Sequence, residues 1–394
     1  MKKQRVAILG GGPIGVETAA RVVREGHEVA VYETGTIGEH VRKWDHVRFF
    51  SPWALNRSGW GKALLAAQGV ELAPEDEFPT GEEYRRRYLE PLLDAISEKI
   101  ELHEDTKVLG VTRKEALKGD FIGDSRRTKG PFLIRVQGPQ GVRFDEADIV
   151  IDATGVLSQP NWLGPGGLPA LGEEKLNGEV IRRIPDVDGE DKGLAGRRVL
   201  VVGNGHSAMT SLDRLTILRE THPDTEVVWA FRHDASSREE IENDPLPERA
   251  RLDRLGNLAS LNQLPGVEAL AHSMVRAIQT KNDRLEVILE RPEGMETVTV
   301  DRVVSNVGYR PDTSLTRELQ VHLCYASDGP MKLAASLMGA DSADCLDQEA
   351  GGADTLANPE PDFYVLGAKS YGRNSNFLLK VGFGQIEAMM ELWS

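Results

Sequence analysis

Two kinds of apolar pattern follow each other at the start of the chain. Val6 to Leu9 is a short apolar run bounded by glycines, which is typical of a buried strand. A helical pattern follows over Ile14 to Glu25, and Glu28 to Tyr32 is a second apolar run. Buried strands joined through a helix predict one β-α-β unit of a parallel sheet that is covered on both faces.

The same order of elements returns later in the chain. Arg198 to Val202 reads as a strand, a helix is predicted from about His206 to Glu220, and Glu226 to Phe231 reads as the next strand. The sequence therefore predicts an α/β protein with two Rossmann-like, three-layer domains.

The region between the two units contains further elements. Tyr84 to Glu98 is a candidate amphipathic helix, and strands are predicted at Lys107 to Arg113, Phe132 to Gln137 and Ile149 to Asp152. Gln159 to Leu168 is rich in Gly and Pro and continues neither kind of element, so it reads as a crossing between domains.

Composition and charge narrow the class of protein. The 394 residues hold 47 Lys plus Arg against 62 Asp plus Glu, a formal charge of −15, which argues against nucleic acid or an anionic membrane surface as the main partner. No apolar run approaches the roughly 18 residues of a membrane span. Cys324 and Cys345 are too few for a disulfide framework, which suits a cytoplasmic location. No His, Cys and Asp cluster has metal-ligand spacing, so no metal is expected.

The first candidate site is a G-x-G-x-x-G turn directly after the first strand. Its first glycine permits a tight turn, its second lets the backbone approach a pyrophosphate, and its third allows close packing of helix and sheet. A carboxylate at the end of the second strand can accept hydrogen bonds from a ribose diol. We therefore predict dinucleotide binding by Gly10, Gly12, Pro13, Ile14, Gly15 and Glu33.

The second candidate site repeats the pattern as G-x-G-x-x-A. Here the following strand ends in a cation, Arg232, and in no acid. A carboxylate would repel a 2′-phosphate whereas an arginine can pair with one, so NADPH is favoured over NADH. The alternative is that Arg232 is a solvated strand end. The residues predicted to contact this cofactor are Gly203, Gly205, His206, Ser207 and Arg232.

These motifs resemble the two-dinucleotide-binding-domain flavoproteins, the superfamily of thioredoxin reductase, pyridine nucleotide-disulfide oxidoreductases and flavin-containing monooxygenases. The resemblance also rests on Asp152-Ala153-Thr154-Gly155, on Val304 to Pro311 and on Asp362 to Gly367. It implies that the first glycine motif binds FAD and the second binds NAD(P)H. It further implies an NAD(P)H domain over 161–325 that is inserted in an FAD domain over 1–160 and 326–394.

Departures from the family pattern bear on the reaction. Disulfide reductases need two redox-active cysteines a few residues apart, and Cys324 and Cys345 are not so placed. The F-x-G-x-x-x-H signature of typical flavin monooxygenases is expected around the crossing between domains, and it is missing there because no His lies between His103 and His206. The family's Gly-Asp at the end of the last strand is replaced by Gly367-Ala368-Lys369, which places Lys369 near the flavin on this analogy.

The end of the chain adds further candidates for flavin contacts. A last helix is predicted over Ile386 to Leu392, begun by Val381 to Gln385, and its first amides could stabilise negative charge on reduced flavin. A packing helix is the alternative. The resemblance places Thr154, Gly155, Gly367, Lys369, Gly384 and Gln385 at the flavin.

The sequence signals for a substrate site are weaker than those for the cofactor sites. The stretch His40 to Trp60 is dense in aromatics and could line a pocket over the flavin or could be ordinary core. Lys369, Arg373 and His46 are the candidate catalytic residues, because the two cations could meet an anionic or carbonyl substrate.

The functional hypothesis is a cytoplasmic FAD-dependent, NAD(P)H-consuming oxidoreductase acting on a small molecule, with a monooxygenase-like reaction as one version. The alternatives are an oxygen-independent reductase of a quinone, imine or enone, and a non-catalytic, redox-sensing flavoprotein. A homodimer is compatible with the sequence.

Overall fold

The computed structural model describes residues 3–176, 178–234, 238, 240–242, 244–339, 346 and 351–393. Its strands are β1 Arg5–Leu9, β2 Glu28–Tyr32, β3 Ile100–His103, β4 Lys107–Arg113, β5 Phe132–Gly138, β6 Gly141–Ala147, β7 Ile149–Asp152, β8 Val180–Ile181, β9 Arg198–Val202, β10 Glu226–Ala230, β11 Val267–Leu270, β12 Met274–Lys281, β13 Arg284–Arg291, β14 Gly294–Val300, β15 Arg302–Ser305 and β16 Phe363–Val365.

Its α-helices are α1 Pro13–Arg24, α2 Glu39–Arg42, α3 Trp53–Asn56, α4 Gly59–Ala67, α5 Gly81–Tyr84, α6 Glu90–Asp94, α7 His206–Thr221, α8 Pro247–Ser260, α9 Met331–Met338, α10 Ala353–Leu356 and α11 Leu379–Glu391. A π-helical turn over Arg85–Leu89 joins α5 to α6, and a 3₁₀ turn follows β16 at Gly367–Tyr371.

The chain divides into two compact units. The first contains 1–159 and 309–394, and the second contains 160–308, so the second unit is an insertion in the first. The second unit ends at Gly308, whereas the resemblance implied a boundary at 325. Along the chain, β15 is the last strand that this unit adds to its parallel sheet.

The first unit contains a five-stranded parallel sheet in the order β16-β7-β1-β2-β3 and an antiparallel sheet of β4, β5 and β6. Side chains alternate across the parallel sheet. Val6 and Ile8 of β1 face the core formed with the helices, whereas Ala7 and Leu9 face the antiparallel sheet. A strand that is buried on both faces has no polar side to display, which explains the continuous apolar run.

The second unit repeats this architecture. Its parallel sheet has the order β11-β10-β9-β15-β8, and β12, β13 and β14 form a separate antiparallel sheet. Leu200 of β9 and Val287 of β13 belong to the same buried cluster. The predicted fold class, α/β with two Rossmann-like domains, is confirmed.

Two predicted helices differ in their bounds. The helix expected over 84–98 begins at Gly81, because Thr80 and Glu83 form a capping box at its start, and its α-helical part ends at Asp94. The last helix begins at Leu379, earlier than the start that the sequence indicated.

Candidate functional site

The first glycine turn is fixed by close backbone contacts within the first unit. Gly10 has φ +100°, and a Cβ there would lie 2.6 Å from the carbonyl oxygen of Ala153. A Cβ at Gly15 would lie 1.9 Å from the carbonyl oxygen of Gly10. Both positions therefore require glycine for the fold itself, whether or not a ligand binds.

Gly12 differs from its two neighbours in the motif. It is the N-cap of α1 in an extended conformation, and no described atom lies within 4 Å of a Cβ built there. Pro13 follows at the first helical position. The first amides of a helix have no intrahelical acceptor and carry its positive dipole end. Open space in front of such a terminus fits the pyrophosphate of a dinucleotide.

The side chain of Ile14 points into the protein. It is 6% exposed, and Cβ atoms at Gly367 and Gly382 would lie 3.2 Å and 2.3 Å from its atoms. The contact predicted for Ile14 can therefore come only from its backbone amide, since its side chain belongs to the core.

Glu33 braces the same turn from the end of β2. One of its carboxylate oxygens accepts from the amide of Gly11 at 2.7 Å, and the other accepts from the amide of Gly35 at 3.2 Å. Carboxylate oxygens have further lone pairs, so ribose hydroxyls can still donate to them. A Cβ at Gly11 would lie 2.2 Å from Ile37 Cδ1, a constraint the motif did not reveal.

A buried polar cluster lies where β7 ends. Lys369 Nζ is 2.6 Å from Asp152 Oδ2 and 3.0 Å from Thr154 Oγ1. The Thr154 hydroxyl in turn donates to Asp152 Oδ1 at 2.7 Å. The side chains of Asp152 and Lys369 are 0% and 4% exposed. Gly155 follows with φ +66°.

The resemblance places Lys369 near the flavin, and the structure shows that its immediate partner is a buried carboxylate. Its ammonium is held in an internal ion pair, so the uncompensated positive charge expected from the sequence is not present. The sequence did not identify Asp152 as its partner, although Asp152 begins the Asp152-Ala153-Thr154-Gly155 motif.

Gln385 holds the turn that carries Lys369. Its Oε1 accepts from the amide of Gly367 at 2.8 Å, and its Nε2 donates to Ser370 Oγ at 2.8 Å. Because α11 begins at Leu379, the amides of Gly384 and Gln385 lie beyond the first turn of the helix. The expectation that these two residues supply free helix amides is therefore wrong.

The structure gives the candidate catalytic residues different surroundings. Arg373 is exposed and its Nε is 2.6 Å from Asp328 Oδ2, separate from the contacts of Lys369. His46 lies half-buried in the turn after α2. Its neighbour Asp45 forms a salt bridge with Arg85 at 2.6 Å.

The aromatic stretch before α4 contributes to the core of the first unit. Trp53 is 2% exposed and its ring centroid is 6.1 Å from that of Tyr84. Trp44 and Phe49, whose ring centroids are 5.0 Å apart, are partly buried against the same core. This packing favours the core interpretation over a pocket lining.

The second glycine turn is built like the first. Gly203 has φ +131°, and a Cβ there would lie 2.2 Å from the carbonyl oxygen of Asn306. Gly205 is the extended N-cap of α7, with open space around its Cβ position as far as the described residues extend. His206 and Ser207 form the first turn of α7, and Ser207 is exposed.

Asp253 of α8 faces this second turn and was not predicted. His206 Nε2 is 3.2 Å from Asp253 Oδ1, and Arg238 binds both Asp253 and the carbonyl oxygen of Asn204. Burial acts to raise the pKa of Asp253, but its hydrogen bonds to His206 and Arg238 outweigh burial and lower it. Nothing in the local sequence of α8 marks this carboxylate, because only the fold brings it to the turn.

Arg232 is exposed just after β10. The neighbouring Phe231 is 2% exposed and stacks on Trp229 with ring centroids 4.1 Å apart. Trp229 Nε1 also donates to the carbonyl oxygen of Gly203 at 2.7 Å, which fixes the end of β10 against the turn.

The described residues lack two features that would indicate a metal or membrane partner. No group of three or more His, Cys, Asp or Glu residues in them could hold a metal ion. None of their helices is both long and apolar enough to cross a membrane. Cys324 is 1% exposed, and Cys345 lies outside the described residues.

Comparison with known proteins agrees with this architecture. Residues 7–122 match the family model described as pyridine nucleotide-disulphide oxidoreductase. No curated protein sequence matches the chain. The bacillithiol disulfide reductase Bdr of Bacillus cereus has 18% identity and a TM-score of 0.69, with 99% of this chain and 98% of that chain covered.

Two further solved structures have a similar fold. The thioredoxin reductase of T. acidophilum has 16% identity and a TM-score of 0.59, with 100% of each chain covered. The ornithine N-hydroxylase of Kutzneria sp. 744 has 16% identity and a TM-score of 0.63, with 99% of each chain covered. The family match over 7–122 agrees with the resemblance seen in the first glycine motif. The solved structures show that this chain shares their fold.

Proposed function

We propose that the protein is an FAD-dependent, NAD(P)H-consuming oxidoreductase that acts on a small molecule. FAD is assigned to the first unit and NADPH, in preference to NADH, to the second. The observation that carries this proposal is the repeated construction of the two glycine turns. In each, a glycine at positive φ ends a parallel strand, and an open glycine caps a helix.

The first unit offers groups for each part of FAD. Amides of Gly12 and the first turn of α1 would hold the pyrophosphate, and Glu33 would accept from the ribose. Thr154, Gly155 and Gly367 lie at the ends of the adjacent strands β7 and β16, where open α/β sheets bind their ligands. When bound, FAD supplies a group that accepts a hydride and passes electrons onward.

Lys369 is proposed here as a positioning residue. Since Asp152 compensates its charge at 2.6 Å, the pair has little net field at a distance. Its hydrogen bond to Thr154 fixes that hydroxyl and the backbone that follows it. The pair would thus shape the flavin end of the site without supplying free positive charge.

The second unit would hold NADPH in the same manner. Gly203, Gly205 and the first turn of α7, with His206 and Ser207, would receive the pyrophosphate. Exposed Arg232 is proposed to pair with the 2′-phosphate. Arg238 compensates Asp253 beside the turn, so the approaching phosphates would not meet an unpaired carboxylate.

The acceptor of the electrons is proposed to be a small molecule or oxygen. Thiol-disulfide exchange at the flavin needs a pair of nearby cysteines, and the two cysteines of this chain are 324 and 345, of which Cys324 is buried. Among proteins of similar fold, one is a disulfide reductase and another an N-hydroxylase, so the fold is compatible with either outcome.

The test begins with the visible spectrum and the released nucleotide of the purified protein. We expect bound FAD and its anaerobic bleaching by NADPH. Mixing the reduced protein with oxygen then separates the versions: oxygen uptake with peroxide release favours an oxygen-using enzyme, and bleaching that only an added quinone, imine or enone reverses favours a reductase. If none of these acceptors supports turnover, the result favours the non-catalytic redox sensor. A protein that binds neither FAD nor NADPH would overturn the proposal.

A further inference from the structure

Helix α1 carries a carboxyl group that the proposed reaction does not use. Glu17 lies in the second turn of α1, directly after the glycine turn that begins this helix, and it is 0% exposed. Glutamate is almost never fully buried unless it is paired, so its surroundings need explanation.

The Glu17 carboxyl connects three elements. Ser58 Oγ is 2.7 Å from Glu17 Oε2, and the Tyr88 hydroxyl is 2.5 Å from Glu17 Oε1. Ser58 is also the N-cap of α4 and accepts from the amide of Gly61 at 2.8 Å. Trp60 Nε1 donates to the backbone carbonyl of Glu17 at 3.2 Å. The side chain therefore joins α1 to α4 and to the π-helical turn.

The junction is closely packed on the side of Tyr88. A Cβ at Gly61 would lie 2.1 Å from the Tyr88 hydroxyl oxygen, so only glycine leaves room for this hydroxyl. Tyr88 lies in the π-helical turn Arg85–Leu89, a type of local irregularity that often occurs at functional positions.

The groups that face Glu17 are uncharged. They are the hydroxyls of Ser58 and Tyr88 and the Trp60 indole, with buried Tyr84 next to Tyr88. Burial raises the pKa of both tyrosines, so both remain phenols. Charged side chains on the surrounding elements are bound elsewhere: Arg21 to Glu25 and Glu387, Arg57 and Lys62 to Glu75, and Arg85 to Asp45 and Glu90.

We propose that Glu17 is a pH-sensitive lock on the first glycine turn, closed while its carboxyl is a neutral acid and weakened when that carboxyl ionises. As a neutral acid it joins α1 to its neighbours without an uncompensated charge. Ionisation places a negative charge among neutral groups, which favours opening of the junction to water. Opening would loosen α1 and the turn from which it starts. The consequence for FAD retention rests on the proposed function, whereas the consequence for stability does not.

The direction in which stability changes with pH follows from the pKa of the Glu17 carboxyl. Burial is the largest influence and raises the pKa of Glu17 from 4.5 to about 7, against the hydrogen bonds from Ser58 and Tyr88 that lower it. The folded state therefore holds the proton more tightly than the unfolded chain. The stabilisation is complete below pH 4.5 and is lost as the pH rises through about 7, so the unfolding equilibrium constant rises by up to about 300-fold from this group.

The test compares the wild type with Glu17→Gln in urea unfolding from pH 5 to pH 8.5, without added flavin. Gln keeps a neutral group of the same shape, so the variant should lose the contribution of this group to the pH dependence. Glu25→Gln, on the exposed end of the same helix, is the matched control and should keep the wild-type pH dependence. Equal pH dependence in wild type and Glu17→Gln would overturn the proposal.

A second measurement covers the case in which Glu17→Gln does not fold. Infrared difference spectra of the wild type between pH 5.5 and 8.5 should show loss of a protonated carboxyl band near neutral pH, and no such loss would overturn the lock. FAD dissociation over the same range should accelerate with pH in wild type and much less in Glu17→Gln. Absence of FAD at every pH would contradict the proposed function alone, while equal acceleration in both proteins would contradict the lock.

Discussion

The ammonium of Lys369 lies 2.6 Å from the carboxylate of Asp152, although 217 positions separate the two residues in the chain. Asp152 ends β7 and Lys369 lies in the turn after β16, and these strands are neighbours in the parallel sheet. Both side chains are almost fully excluded from solvent, so each supplies the other with a compensating charge at hydrogen-bond distance.

Removal of one partner should therefore be costly. We expect Lys369→Met to lower the free energy of unfolding by about 3–5 kcal/mol, because it leaves the Asp152 carboxylate buried and unpaired. The double variant Lys369→Met with Asp152→Asn should recover part of this loss. Urea unfolding at pH 7 measures both, and a double variant as unstable as the sum of the single variants would contradict the pairing.

The first glycine turn allows ligand binding to be separated from folding. Gly12→Val should leave the apo-protein folded, since its Cβ enters open space and its φ of −76° suits any L-residue, but it should lose FAD. Gly15→Val should fail to fold, because its Cβ would lie 1.9 Å from the Gly10 carbonyl oxygen. Circular dichroism and flavin absorbance distinguish the two effects, and a fully flavin-loaded Gly12→Val would be evidence against FAD at this turn.

Cofactor choice is tested at the end of β10. If Arg232 pairs with the 2′-phosphate, Arg232→Ala should raise KM for NADPH about tenfold to a hundredfold, the value of a charge-assisted hydrogen bond of roughly 1.5–3 kcal/mol, and leave NADH nearly unchanged. Arg302 lies at the N-terminal start of β15, whereas Arg232 follows the C-terminal end of the parallel strand β10. Arg302→Ala is therefore a suitable control. An equal rise of KM for NADPH and NADH would exclude a role for Arg232 in the choice between the two cofactors.

A buried cluster in the first unit should determine acid stability. Glu360 is 0% exposed and binds Arg113 and Arg127, each at 2.7 Å. Burial acts to raise its pKa, but hydrogen bonds from Arg127, the Gln320 amide and Arg113 lower it overall. Its stabilisation is thus present above the ordinary carboxyl pKa of 4.5 and is lost as the pH falls through the lowered value in the folded state.

Glu360→Gln should accordingly lower stability at pH 7 by about 3–5 kcal/mol, since two buried arginines lose their counterion, and should reduce the loss of stability on acidification. Glu101, which forms an exposed pair with Arg5, supplies the control: Glu101→Gln should cost less than about 1 kcal/mol. Unfolding midpoints in urea between pH 3 and pH 7 measure both effects. Similar results for the two variants would show that Glu360 has no special role.

The sequence by itself determined the elements whose signals are local. The strands at Glu28–Tyr32 and Arg198–Val202 have the predicted bounds, because a continuous apolar run with glycine nearby suits only a buried strand here. The two glycine turns were equally predictable, since positive φ and close backbone approach restrict the residue type at the position itself. The fold class followed from the order of these elements.

Only the tertiary structure decided how distant side chains are paired. Burial of Glu17, the position of Asp253 at the second turn and the compensation of Lys369 by Asp152 depend on segments that meet after folding. The start of α11 at Leu379 likewise became evident only with the fold. The physical reason is that glycine geometry and apolar periodicity act within a few residues, whereas the energy of a buried charge depends on which distant group folding brings within hydrogen-bond distance.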